Sequence, residues 1–194
     1  MAAFVAFLDA CVLFPPNLRD VIVTVAEVGI CQIRWSPDVL DELQRTVVRR
    51  AKVENADTAE WGAQYLRRVM EEAFPDAMVD RALYEWLIDA MPNDPKDRHV
   101  LAAAIASGAD VLVTANQKHF AVPPGFCRLE IQHPDAFLGH QLELAPREFF
   151  EALQQLATER RAPMDSVPAI LESLRKTVPR FARQAKALWS EFQG

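Results

Sequence analysis

Glycine is scarce in this sequence, six residues in 194, and no glycine-rich phosphate loop can be placed anywhere along it, so a P-loop nucleotide site is excluded. Cysteine is scarcer. Cys11, Cys31 and Cys127 are odd in number, far apart and set among apolar neighbours, which argues against a disulfide framework or a zinc knuckle and for buried free thiols. A basic excess is also missing: 21 Lys and Arg stand against 27 Asp and Glu, a formal charge of -6. A generally basic nucleic-acid binder would show the opposite balance, so any polyanion must be met locally. The apolar start MAAFVAFLDACVLFPP has no basic residue before Arg19 and is broken at Asp9. It is too short for a membrane span and lacks the charged opening of a signal peptide, so no membrane contact and a reducing, cytoplasmic location are expected. Internal repeats and low-complexity segments are absent as well.

What is present is an ordinary globular composition, 51% hydrophobic and 25% charged, enough for one domain with a good core plus an appendage. Residues 3 to 8, AFVAFL, are apolar on both alternate sets, as expected of a strand buried on both faces of a parallel sheet. A helix over 17 to 30, with Val21, Val25 and Val28 on one side, and a short strand from Gln32 to Trp35 follow. Ser36-Pro37 then opens a helix that turns Val39, Leu40, Leu43 and Val47 inward and ends in Arg45, Arg49, Arg50 and Lys52. Another amphipathic helix spans about Thr58 to Ala73, followed by a short strand or turn at Ala77 to Val79 and a helical turn near Leu83 to Ile88. Asp94-Pro95 resembles a further helix start, with Gly108 as its end. Asp110 to Thr114 reads as a second buried strand and Arg128 to Ile131 as a weaker one. Strands alternating with helices imply a mainly parallel sheet with helices on both faces, a three-layer α/β/α fold whose ligands sit beyond the C-terminal ends of the strands. After residue 140 the character changes. Residues 1 to 140 carry 13 basic and 20 acidic side chains, whereas residues 141 to 194 carry 8 and 7 and read as a helical extension. Its stretch SLRKTVPRFARQAKAL contains no acid; contact with RNA, packing on a partner and plain solvation all suit it.

The acidic candidates for chemistry are Asp9, Glu42, Asp94 and Asp97, joined by Asn116. Asp9 and Asn116 leave strand ends, and Asp97 sits in the first turn of the helix that feeds the second strand, so convergence is expected. Carboxylates sharing a cleft repel, and a hard divalent cation offsets that repulsion; Mg²⁺ or Mn²⁺ suits oxygen donors better than zinc. Each position also has a purely structural explanation. Asp9 can cap the helix after Pro15-Pro16, Glu42 can pair with Arg45 or Thr46, and Asp94-Pro95 with Asp97 makes a good capped helix start. Asp41 reads as a partner of Arg45. Asn116 is equally a turn residue. His99, His119, His133 and His140 show no triad pattern and read as surface or satisfied histidines. Arg98, Lys118 and His119 lie close in sequence to the candidate site and are candidates for phosphate contact or, equally, for a solvated face.

The ordered set FLDACVLFP, SPDVLDELQR, NDPKDRHVLAAAIASGADVLVTANQKHF and EIQHPDAFL resembles the PIN-domain ribonucleases, especially the VapC-like toxins of bacterial toxin–antitoxin pairs, over roughly residues 3 to 140. The resemblance implies that Asp9, Glu42 and Asp97 match the family's first three acidic residues and hold Mg²⁺ or Mn²⁺. Asn116 falls where many members carry a fourth acid, which leaves one metal or two as an open question. It further implies a metal-dependent endoribonuclease with an RNA substrate, a cognate antitoxin protein and homodimers, although no dedicated interface signal is present. A PIN-like RNA-binding or regulatory module that has lost catalysis is the alternative. A phosphate-accepting α/β domain built on Asp9 fits less well, because Asp9-Ala10-Cys11 lacks a second nearby aspartate.

Overall fold

The computed structural model describes residues 4–51, 56–125 and 128–192. Its centre is a four-stranded, wholly parallel sheet of β1 (Val5–Leu8), β2 (Gln32–Arg34), β3 (Val111–Val113) and β4 (Glu130–Gln132) in the order β2-β1-β3-β4. The inner strands are the two that read as apolar runs. Ala6, Phe7, Leu8, Val111, Leu112 and Val113 are all fully buried, since a strand covered on both faces has no polar alternation to display. The edge strands β2 and β4 keep partly exposed residues.

Helices flank this sheet: α1 (Ala10–Leu13), α2 (Pro16–Glu27), α3 (Pro37–Arg50), α4 (Ala56–Ala73) and α5 (Arg98–Ala106). The expected helix over 17 to 30 stops at Glu27, and Val28 lies outside it and exposed rather than on its buried side. Ser36 accepts from the Val39 amide at 3.3 Å with Pro37 behind it, the predicted start of α3. Lys52 and Cys127 lie outside the described residues. The stretch around Pro75 to Ala90 consists of 3-10 turns, and Trp35 pairs with Met78 in an isolated parallel bridge.

The start of α5 differs from expectation. Asp94 accepts from the Lys96 amide at 3.0 Å and the Asp97 amide bonds back to the Asp94 carbonyl at 2.9 Å, so residues 94 to 97 form a separate turn and the helix begins only at Arg98. Asp97 is its N-cap residue but makes no side-chain cap bond. Its carboxylate is thereby left for other work. The helix ends as predicted at Gly108, whose φ of +66° is a backbone conformation that a side chain would strain.

From Pro134 the chain is helical: α6 (Pro134–Leu144), α7 (Pro146–Glu159), α8 (Val167–Leu174) and α9 (Pro179–Phe192). These helices do not form a satellite. The apolar core is continuous from Ala6 to Trp189, α7 and α8 pack on α2, and α9 packs on α6. Arg160 binds Asp20 and Asn17 across 140 residues of sequence, and the Asp135 carboxylate accepts from the Arg180 and Phe181 amides at the start of α9. No helix of the described residues is long and apolar enough to cross a membrane.

Candidate active site

Asp9 follows the last residue of β1 and is 5% exposed. The sheet's hydrogen bonding extends past the strands to hold it: the Asp9 amide bonds to the Val113 carbonyl at 3.1 Å, and the Thr114 amide to the Gln132 carbonyl at 2.9 Å. Asp9 is the N-cap residue of α1, but its side chain makes no cap bond, and the helix after Pro15-Pro16 starts from Pro15. Instead its Oδ2 accepts from the Thr114 hydroxyl at 2.7 Å and from the Cys11 thiol at 3.0 Å. A buried carboxylate needs such donors, because water is not there to solvate it. Cys11 is therefore half-buried and bonded, and burial together with the Asp9 charge pushes its thiol up to about 12. Cys31 is the buried free thiol that the sequence suggested, also pushed up to about 12 by burial.

Thr114 is the hinge of the site. Its hydroxyl donates to Asp9 and accepts from the Asn116 amide at 3.0 Å, so the turn carrying Asn116 is fixed to the first acid. The Asn116 side chain is exposed and begins the 3-10 turn Gln117–His119. Thr114→Val keeps the shape but leaves the Asp9 oxygen short of a donor. Unfolding in denaturant is expected to show a loss of about 1–3 kcal/mol.

Glu42, on α3, is half-buried, and its carboxyl is pushed above its ordinary range by burial and then by the charges of Asp9 and Asp97. Opposite it, His99 Nε2 stands 3.9 Å from Glu42 Oε2. Burial outweighs the surrounding acids and lowers the His99 pKa, so the contact is that of a neutral imidazole with a carboxylate and not an ion pair. His99 is neither surface nor satisfied, for its Nδ1 is buried without a partner among the described residues. Asp97 is met by His119, Nδ1 to Oδ2 3.2 Å. His133 caps α6 by accepting from the Asp135 amide, and His140 touches Gln132.

A group whose folded pKa is raised binds its proton more tightly folded than unfolded. Glu42 accordingly costs stability as pH rises above the ordinary carboxylate range. Glu42→Gln is expected to raise Tm at pH 7 and to flatten that fall, read by thermal unfolding across pH.

Asp41 pairs with Arg67 of α4, not with Arg45. Asp38, one turn before Glu42, is held by Arg81 at 2.9 Å and by the Tyr84 hydroxyl, which removes the repulsion that their spacing suggests. Arg98 spends Nε on the Asn93 carbonyl at 3.2 Å, and Lys118 is exposed beside a pocket of about 350 Å³ that Asp94 and His119 also line. The sequence missed Cys11, Thr114 and His99 as neighbours of the acids, and placed His119 near the site without its partner Asp97. Only the two-residue spacings Asp9-x-Cys11 and Thr114-x-Asn116 hinted at the first two.

The PIN domain family model matches residues 6–118, more than half of the chain. The chain belongs to the PIN-domain family. A second family model, described as the VapC50 C-terminal domain, matches residues 134–187. A Mycobacterium tuberculosis protein named "Putative ribonuclease VapC50" is 38% identical over 109 residues, covering 55% of this chain and 63% of that protein. No solved structure matches.

Within the PIN domain Glu42 is raised first by burial and then by the charges of Asp9 and Asp97. The hard carboxylate oxygens of these acids suit Mg²⁺ or Mn²⁺, and the charges of Arg45 and Arg49 offset the raised Glu42 only in part. Among the described residues, however, no group of three His, Cys, Asp or Glu side chains is drawn into a set that could hold an ion. The donors are present but not closed into a coordination shell.

Proposed function

We propose that this PIN-domain protein is a metal-dependent endoribonuclease that hydrolyses RNA phosphodiesters, acting as the toxin of a type II toxin–antitoxin pair with a cognate antitoxin as partner. The observation that carries the reading is Asp9 buried at the C-terminal end of β1 and held by Thr114, with Glu42 near enough for the charges of Asp9 and Asp97 to reach it, in a chain whose relative bears a ribonuclease name. Asp9, Asp97 and Glu42 would hold Mg²⁺ or Mn²⁺. The bound ion would neutralise phosphate charge and acidify water.

The chain's own residues do the rest. Glu42 would also orient the attacking water and accept its proton. Water attacks phosphorus in line, the bond to the 3′-oxygen breaks, and the products are a 3′-hydroxyl and a 5′-phosphate. Thr114 keeps Asp9 oriented, and Asn116 offers a neutral donor and acceptor at the mouth. Lys118, and the part of Arg98 not committed to Asn93, contact substrate phosphates. The division into a nuclease unit of residues 1–140 and an extension of 141–194 belongs to the same proposal, as do a homodimer and a cytoplasmic site of action.

The test is cleavage of single-stranded RNA by the full chain, with and without Mn²⁺, alongside induced expression of wild type and Asp97→Asn with growth and RNA ends recorded. Metal-stimulated cuts bearing 5′-phosphates and growth arrest by wild type alone are expected. Undiminished cleavage in chelator, or equal growth of the two strains, would sink the reading. The neutral Asn116, where many members carry a fourth acid, favours one other reading, a PIN-like RNA-binding or regulatory module with weak catalysis. It predicts RNA binding that survives Asp9→Ala and Asp97→Ala with no cleavage in any sample.

A further inference from the structure

A concavity of about 670 Å³ lies between the end of β4, α6 and the first turns of α9, lined by Gln117, Gln132, His133, His140, Arg180 and Gln184 among others. That volume is in the range of sites that hold small ligands. Gln117 directly follows Asn116, and Gln132-His133 closes β4. The pocket therefore opens on the same edge of the sheet as Asp9, two strand spacings or about 10 Å along it.

Two acids also line it, but both are occupied. Asp135 accepts from the Arg180 amide at 3.2 Å and the Phe181 amide at 2.7 Å, and Glu143 Oε1 accepts from Gln184 Nε2 at 2.8 Å. Gln117 Nε2 is similarly spent on the Ile131 carbonyl at 3.0 Å. The amide oxygens of Gln117 and Gln184 and the guanidinium of Arg180 are left without a hydrogen-bond partner among the described residues. Two acceptors and one cation thus face a cavity whose remaining wall combines Ile131, Ala136 and Gly139 with His133, which accepts from the Asp135 amide, and the mutually bonded His140 and Gln132.

We propose that this pocket takes a nucleotide of single-stranded RNA next to the scissile phosphate, with Arg180 on its phosphate and the Gln117 and Gln184 amide oxygens on its base. The inference rests on the ribonuclease reading above. It makes the C-terminal extension part of the substrate surface. Amide oxygens accept from exocyclic amino groups, so adenine, cytosine and guanine satisfy both acceptors, and uracil, whose edge offers only the single N3–H donor, leaves one of the two unpaired.

The full chain is incubated with Mn²⁺ and an RNA library randomised in a single-stranded loop, and the cut ends are sequenced. Wild type is expected to disfavour uridine at one position flanking the cut. Arg180→Ala slows cleavage about ten-fold with the preference retained, whereas Gln184→Ala and Gln117→Ala relax the preference at that position alone. Arg147→Ala, on the remote α7 surface, is the control for lost charge, and thermal unfolding confirms that each variant is folded. Wild-type cleavage without discrimination against uridine, or variants that match wild type in rate and base frequencies, would overturn the pocket's role while leaving the ribonuclease intact. No cleavage by wild type at all overturns both.

Discussion

Asp9→Asn is expected to lower RNA cleavage by at least about 100-fold, the upper end of the loss seen when only an outer partner of a metal ligand is removed. The substitution is unusually informative here because the amide oxygen of asparagine can still accept the Thr114 hydroxyl and the Cys11 thiol. What disappears is the charge. Folding should persist, shown by an unchanged circular dichroism spectrum, while initial rates in saturating Mn²⁺ collapse. An Asp9→Asn protein that cuts RNA within a few-fold of wild type would mean that Asp9 is a structural acid, buried for the sake of the Thr114 turn.

Ending the chain at residue 145 is expected to abolish cooperative folding, although the family resemblance that names the nuclease stops near residue 140. The deleted helices supply Phe149, Phe150, Leu153, Phe181 and Trp189 to the core, all buried, and the rings of Phe149 and Phe181 pack at 5.6 Å. Full burial of each large apolar side chain contributes roughly 1.5–3 kcal/mol, against a total stability of about 5–15 kcal/mol for a typical protein. The truncation also uncovers the α2 surface beneath α7 and α8 and deprives Asp20 of Arg160. The fragment should aggregate, or show no sharp thermal transition and no near-ultraviolet dichroism. A soluble fragment melting within a few degrees of the full chain would instead establish an independent nuclease unit.

The inner strands were legible because burial on both faces leaves an uninterrupted apolar run, and an acid directly after such a run stands out. Ser36-Pro37 was legible for a local reason: cap and first-turn proline are neighbours in sequence. The start of α5 was not, because Asp94 and Asp97 are both good cap residues three apart, and only the backbone decides that the first closes a turn. Asp41 chose Arg67, 26 residues away, over the closer Arg45, and His99 and His119 found their acids through contacts between elements. Pairings of that kind leave no periodicity to read. The extension was visible as helices with a different charge balance, but its integration into the core depends on faces of α2 and α6 that look equally apolar whatever covers them.

The hydrogen-bonded ladder that runs one residue beyond β1 and β3 divides the site into halves that tolerate change differently. The amides of Asp9 and Thr114 belong to the sheet and should exchange with deuterium as slowly as the core. Asn116 lies just outside, on an exposed turn whose backbone alone is tethered. Almost any polar side chain could stand there at little cost to the fold, whereas position 9 must keep an acceptor for Thr114 and Cys11. The neutral residue of this chain thus stands where sequence drift is cheapest.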